Sequence, residues 1–192
     1  MDRRILKSRE AIVEAFVALM AEKNFEQITI NEIAERANVS RGTVYLHYTD
    51  KFDLLDQCIK SHLVELIESF LPCGATGIFP SKASLLHTFQ YLGQHAFFYA
   101  AVLANKGVPT FRNRLQAALL RGLDKQIDMN GMNRDMNKEM LIQFLTSAIA
   151  GMIEWWITNS MPYTDVEVVE QLWALMERNQ MVPQPFDKGM TI

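Results

Sequence analysis

The chain reads as an all-α protein of about eight to nine helices, and three observations predict that class. Apolar residues recur at intervals of three and four from Ile5 to Met176. Glycine, proline and asparagine punctuate those runs at Pro72–Gly77, Gly107–Pro109, Asn130-Gly131 and Pro162, and no segment alternates with the period of two that a strand requires. With 192 residues, 49% of them hydrophobic and 21% charged, the chain can bury a core without a covalent staple. Its two cysteines, Cys58 and Cys73, form no CxxC pair, so a reducing, cytoplasmic setting is expected. No uninterrupted apolar run approaches the roughly 18 residues that cross a bilayer, and MDRRILKSRE has no apolar signal core, so neither export nor a membrane partner is expected. The net charge of −3 gives no overall attraction to nucleic acid, and any such binding must rest on local clustering.

The first helix spans residues 5–21, with Ile5, Ile12, Phe16, Leu19 and Met20 on its apolar side and Arg3-Arg4 leading in. Lys23-Asn24-Phe25 breaks it. Thr29-Ile30-Asn31-Glu32 is a capping box, hydroxyl and carboxylate each satisfying a free amide, and opens a second helix over Ile30–Ala37. Asn38 then stands where a tight turn demands a positive φ, which Asn tolerates better than most residues with a Cβ. Ser40 caps a third helix over 40–47, whose Val44 must pack back on Ile33 and Ala37. Left outward are Arg41, Gly42, Thr43, Tyr45, Leu46, His47 and Tyr48, a surface poor in acid and rich in hydrogen-bonding groups. Two short helices joined by a polar turn within Ile28–Lys51 have the layout of a helix-turn-helix, which sets its second helix in the major groove of DNA.

Thr49 or Asp50 can cap a fourth helix over Lys51–Leu71, and Pro72–Gly77 is the expected seam. A fifth helix over Leu85–Ala104 is expected to be mostly buried, a sixth to cover Thr110–Met129, and a seventh to run over Asp135–Ser160 with apolar residues around much of its surface. A second capping box, Thr164-Asp165-Val166-Glu167, opens the eighth. The tail from 183 to 192 is expected to be loose.

The segment Thr29–Lys51, with its core NVSRGTVYLHYTDK, closely resembles the DNA-binding motif of TetR-type transcriptional regulators, and the resemblance covers about the first 60 residues. The GMIEWW that precedes Pro162 looks like the branch that includes regulators related to dihydroxyacetone-kinase control. The resemblance implies a DNA-binding headpiece at 1–50 and a helical effector-binding and dimerisation domain at 51–182. Family members bind operators as dimers and generally release them when a small molecule enters the C-terminal domain. By position, Arg41, Thr43, Tyr45 and His47 would face bases or phosphates, and Thr29, Ser40, Tyr48 and Lys51 would hold the DNA backbone. Gly42 would let the helix approach closely. Residues 1–62 hold nine Lys or Arg against ten acids, so non-specific attraction to phosphate is weak and specificity must come from a dimer.

Tyr91, His95 and Tyr99 recur at four-residue spacing and, with Phe98, Phe144, Met152 and Trp155, are the expected effector pocket; plain core packing is the competing reading for each. The seventh and eighth helices are expected to pair with their two-fold mates through Ala148, Gly151, Trp156, Val169, Leu172, Trp173 and Met176. The expected function is that of a repressor holding a palindromic double-stranded DNA operator. The alternative is a helical protein-interaction module without operator binding. The basic cluster Arg3, Arg4, Lys7 and Arg9 is either a flexible arm for the minor groove or a solvated face. Cys58 and His62 have a chelating spacing, but two ligands do not make a metal site. No GxSxG, HExxH or phosphate-cradling glycine loop is present, so neither an enzyme nor a cofactor is expected.

Overall fold

Helix α1 (Arg3–Glu22) buries Ile12, Ala15, Phe16, Val17, Leu19 and Met20, the stripe its periodicity predicts. In the computed structural model, which describes residues 3–70, 81–105, 110–127, 129–130 and 133–178, it is followed by a 3-10 turn (Phe25–Gln27), α2 (Ile30–Arg36), α3 (Arg41–His47) and α4 (Lys51–Phe70). Then come α5 (Lys82–Gln94), α6 (Ala96–Ala104), α7 (Thr110–Gln126), α8 (Lys138–Thr158) and α9 (Asp165–Arg178). The described residues are all-helical, with no strand among them. The loop at 72–77, Gly131 of the expected turn and the tail at 183–192 lie outside the described residues.

The chain divides into two compact units: Met1–Glu65 with His95–Leu115, and Leu66–Gln94 with Gln116–Ile192. In the first, α6 packs on α1. Phe25 meets Phe16 and Phe52 edge to face at 6.2 and 5.2 Å, and Ile12, Ile28, Ile33, Val44, Leu54 and Ile59 complete the core around it. Buried Asn105, just past α6, accepts from Phe25 N at 2.8 Å and donates to the carbonyls of Met20 and Lys23 at 3.1 and 3.3 Å. It thereby satisfies main-chain groups that the end of α1 leaves free.

In the second unit α9 packs on α5, and Trp156 of α8 meets Phe89 at 5.2 Å while its Nε1 donates to Tyr163 O at 2.8 Å. The Thr164–Glu167 capping box forms as expected. Helix α8 is long and apolar enough to cross a membrane by length and composition, yet it buries Leu141, Ile142, Leu145, Thr146, Ile153, Trp156 and Ile157 within the unit, as a core helix does.

Several expectations are corrected. The single helix over 85–104 is broken at His95 (φ −109°, ψ 20°). The break falls where the chain passes from one unit to the other, two residues after Gly93. Phe97 in that run is 61% exposed. Arg3 and Arg4 lie within α1 and not on a flexible arm. Trp156, Val169 and Leu172, expected at a dimer seam, are 2%, 2% and 8% exposed within the chain, so they are core.

Candidate nucleic-acid interface

The region from Thr29 to Asp53 is built from caps. Thr29 Oγ1 accepts from Glu32 N, and Glu32 Oε2 accepts from Thr29 N, closing the predicted box. Lys23 also bonds Glu32, and chiefly this, followed by the Thr29 bonds, holds the Glu32 carboxyl down at about 2. Asn38 has φ 52°, as the turn requires. Ser40 Oγ accepts from Thr43 N at 3.0 Å and starts α3; Asp50 Oδ1 accepts from the amides of Phe52 and Asp53 at 2.8 Å and starts α4. Ile33 and Ala34 of α2 and Val44 of α3 are buried; Ala37 and Val39 are half-buried, so Ala34 rather than Ala37 carries the inward contact.

Burial around α3 follows the helical step of about 100° per residue. Arg41, Gly42, Tyr45 and Leu46 form one contiguous exposed arc, Tyr45 being 50% and Leu46 84% exposed. Thr43 and His47 sit half-buried on the far side, Val44 is the buried residue of the helix, and Tyr48, its extended C-cap, is buried just past its end. The expected reading set of Arg41, Thr43, Tyr45 and His47 alternates like a strand and does not share one helical face. Leu46 was missing from it, and the four-residue spacing from Gly42 to Leu46, parallel to that from Arg41 to Tyr45, is the signal that identifies it. At Gly42 an added Cβ would meet only Ser40 Oγ at 3.6 Å, an ordinary contact, so the fold itself does not demand glycine there.

Two residues expected on the DNA backbone have other work. Tyr48 is 2% exposed, and its hydroxyl accepts from Arg9 Nε at 3.2 Å; burial pushes that phenol above its usual range, with Arg9 opposing. Lys51 Nζ donates to the carbonyls of Phe25, Glu26 and Ile28 at 3.1, 2.9 and 3.1 Å, which uses all three ammonium protons. It also lies 4.8 Å from the Phe25 ring centroid and 5.5 Å from that of Phe52. Lys51 therefore clasps the 3-10 turn to the start of α4. Thr29 and Ser40 remain exposed on the cap positions. Arg36 is likewise committed, its two terminal guanidinium nitrogens, Nη1 and Nη2, pairing with Glu22 at 2.6 and 2.7 Å.

The residues expected to line an effector pocket are divided. His95, Phe98 and Tyr99 belong to the first unit, where Phe98 stacks on His62 at 3.8 Å and Tyr99 Oη donates to His62 O at 3.3 Å. Phe98 and Tyr99 are core there, 4% and 0% exposed. Tyr91, Phe144, Met152 and Trp155 belong to the second unit, and Phe144 and Trp155 are 62% and 41% exposed. None of the seven lines the cavity of about 400 Å³ bounded by Arg9, Val13, Tyr48, Cys58 and His62, or the open groove of about 820 Å³ beside Phe89, Gly93, Trp156 and Tyr163. Burial pushes the Cys58 thiol up to about 12, which disfavours the thiolate a metal needs. Among the described residues no three His, Cys, Asp or Glu side chains gather as a metal site.

An all-helical chain that carries a capped helix-turn-helix with a clean exposed face belongs to the class of helix-turn-helix DNA-binding regulators. Residues 12–58 match the family model for bacterial regulatory proteins of the tetR family, and residues 81–178, more than half of the chain, match the model for the C-terminal region of such transcriptional regulators. The chain belongs to the TetR family of transcriptional regulators, and is not an enzyme. It is 24% identical over 191 residues to the "Probable acrEF/envCD operon repressor" of Escherichia coli K12, covering 90% of this chain and 84% of that protein. It is 31% identical over 115 residues to the "Uncharacterized HTH-type transcriptional regulator YxbF" of Bacillus subtilis 168; that alignment covers 59% of this chain and spans only 28% of the relative's length. Among solved structures, the dihydroxyacetone kinase operon activator DhaS shares the fold at a TM-score of 0.65 and 19% identity, over 92% of this chain and 98% of that one.

Proposed function

We propose that this chain is a cytoplasmic, homodimeric repressor that reads a palindromic DNA operator through the exposed face of α3 and releases it when a small-molecule effector binds. The observation that carries the reading is the exposed arc Arg41, Gly42, Tyr45 and Leu46 on a helix anchored by the buried Val44 and, just past its end, the buried Tyr48. Arg41 offers donors for a guanine edge or a phosphate, Leu46 an apolar surface for a thymine methyl, and Tyr45 a ring and hydroxyl. Gly42, which the fold does not require, allows close approach between them. Ser40, Thr43 and His47 flank this face, Thr29 caps the exposed start of α2, and their polar groups suit backbone contacts. The Escherichia coli relative is named an operon repressor, whereas the DhaS neighbour is an activator, so the sign of regulation rests on the former.

In this reading residues 1–50 are the DNA-binding headpiece and 51–182 the effector-binding and dimerisation domain. The dimer face is the exposed apolar side of α8, where Met140 (73% exposed), Phe144, Ala148, Gly151 and Trp155 recur every three or four residues, with Trp173 and Met176 of α9 half-buried. Pairing through α8 and α9 sets the spacing of two α3 helices near 34–36 Å or a multiple. The test is selection from random duplexes at moderate salt, which should return a palindrome. Arg41→Ala and Tyr45→Ala should each weaken that site by about 1–3 kcal/mol per lost base contact while the dimer persists. Recovery of no palindrome from the unaltered chain, or a monomer by light scattering at micromolar concentration, would sink the reading.

A further inference from the structure

We infer that Arg9 of α1 is a positioning residue for the recognition helix, fixing the angle of its reading face through Tyr48 rather than contacting DNA phosphate. The inference rests on the DNA-binding reading above. Helix α3 has seven residues and one buried anchor of its own, Val44. Its C-terminal end is held from outside by a closed hydrogen-bond circuit. Arg9 Nε donates to Tyr48 Oη at 3.2 Å and Arg9 Nη2 donates to Gln57 Oε1 at 3.2 Å. Gln57 Nε2 donates to Asp53 Oδ1 at 3.0 Å, and Asp53 Oδ2 accepts the Thr49 amide at 2.8 Å. The circuit leaves α1, crosses α4 and returns to the backbone one residue past Tyr48.

A second tether lies one residue before Tyr48. Ser8 Oγ and His47 Nε2 are 2.9 Å apart. Ser8 donates its single hydroxyl proton to Ile5 O at 2.9 Å, so His47 Nε2 is the donor to Ser8. His47, the last residue of α3, its C-cap Tyr48 and the following Thr49 are thus each tied to residues 8 and 9, the first two directly and Thr49 through Asp53 and Gln57. The Asp53 carboxyl, kept below its usual range first by Gln57 and then by Thr49, stays ionised to complete the relay.

The residue types fit this task. An arginine fork presents Nε and Nη donors along one planar edge and can span two acceptors, whereas a lysine keeps the charge but has a single nitrogen. A phenylalanine at 48 would fill the same buried space and leave Arg9 Nε without this acceptor. A phosphate contact behaves differently in two ways: removing it weakens all sequences alike, and it lowers the salt slope of binding by about 1. Loosening the reader lowers the preference for the operator and leaves the slope in place.

The experiment uses the full chain, the duplex it selects and an unrelated duplex, titrated between roughly 50 and 200 mM salt. Arg9→Lys, Arg9→Gln, Tyr48→Phe and the Arg9→Gln/Tyr48→Phe double variant are compared, each shown folded by circular dichroism at the assay temperature. Arg9→Lys and Tyr48→Phe should each cut the ratio of operator to unrelated-duplex affinity roughly three- to tenfold, the scale of one or two lost hydrogen bonds, with unchanged salt slopes. The double variant should lose no more selectivity than Arg9→Gln alone. Full selectivity in Arg9→Lys, or a slope reduced by about 1 on both duplexes in Arg9→Gln, would make Arg9 a phosphate contact and overturn the inference. Should an Arg9 variant unfold, Tyr48→Phe, which keeps the packing, decides alone. If the unaltered chain selects no site, the DNA-binding reading falls and the inference with it; if it does and Arg9→Lys matches it, only the inference falls.

Discussion

Helix α3 buries one side chain, Val44, whereas α8 buries seven, and the two are held by different forces. The short helix is fixed at its ends: Ser40 caps its start, and Ser8, Arg9 and Asp53 bond the residues that close it. The long helix is fixed along its length by apolar contact, with Trp156 at its centre of packing. Hydrophobic burial scales with area, at about 25 cal/mol per Å², while a single net hydrogen bond contributes only about 0.5–1.5 kcal/mol. Changes in α8 should therefore unfold the protein before they alter what it binds. Changes around α3 should alter binding in a protein that remains folded.

The largest effect tests the α8 side of that contrast. Trp156→Ala removes a buried indole stacked edge to face on Phe89 and frees the Tyr163 carbonyl, and should cost about 3–5 kcal/mol in urea unfolding followed by circular dichroism. A loss under about 1 kcal/mol would mean that burial does not hold α8. Next comes a hydrogen-bonded site inside a core. Asn105→Ala strands the Phe25 amide and two carbonyls, and should cost about 2–3 kcal/mol, in line with about 1–3 kcal/mol for a buried group left unpaired. Hydrogen exchange at the Phe25 amide should accelerate with it; a protected amide in the variant would show that water or a neighbour replaces Asn105. Smaller again is Ser40→Ala, which removes the α3 cap and should cost about 1 kcal/mol of stability while selectively weakening operator binding. Equal weakening on an operator and an unrelated duplex would erase the distinction between the two helices.

The same contrast explains how far the sequence could be read. Around α2 and α3 each position has a chemical reason that is local in the chain: Thr29 reaches Glu32 three residues on, Asn38 takes the positive φ, and Ser40 caps Thr43. Boundaries there fell where the residues put them. The tertiary ties did not show, because Arg9 and Tyr48 are 39 residues apart and Asn105 is 80 from Phe25. Lys51 looked like a phosphate ligand only because the carbonyls that take its protons belong to a turn 23 to 26 residues earlier. In α8 the failure has another cause. A helix that is apolar nearly all round has no polar face to orient it, so adjacent tryptophans cannot be assigned from periodicity: Trp156 went to the core and Trp155 to the surface. The break at His95 did carry a local signal, the run Gly93-Gln94-His95 between the apolar stretches of α5 and α6.

The smallest effect concerns pH, and it separates packing from tethering within the first unit. His62 stacks on Phe98 at 3.8 Å and lies 5.1 Å from the His95 ring. Burial above all, then the neighbouring His95, lowers its pKa to about 4 against the usual 6.5, with Glu65 opposing. The folded state thus holds His62 neutral over a range in which the unfolded chain would protonate it. Between about pH 6.5 and about pH 4 the unfolded state binds more protons, so stability rises with pH across that window. The contribution is complete above about 6.5 and is lost as pH falls through the window to about 4. Carboxylates titrate nearby as well, so the observable is a difference: the thermal midpoint of the unaltered chain minus that of His62→Phe, followed from pH 7.5 downward. That difference should fall steadily below about pH 6.5, because the phenyl ring keeps the stack and has no proton to take up. Parallel curves would place the His62 ring in water.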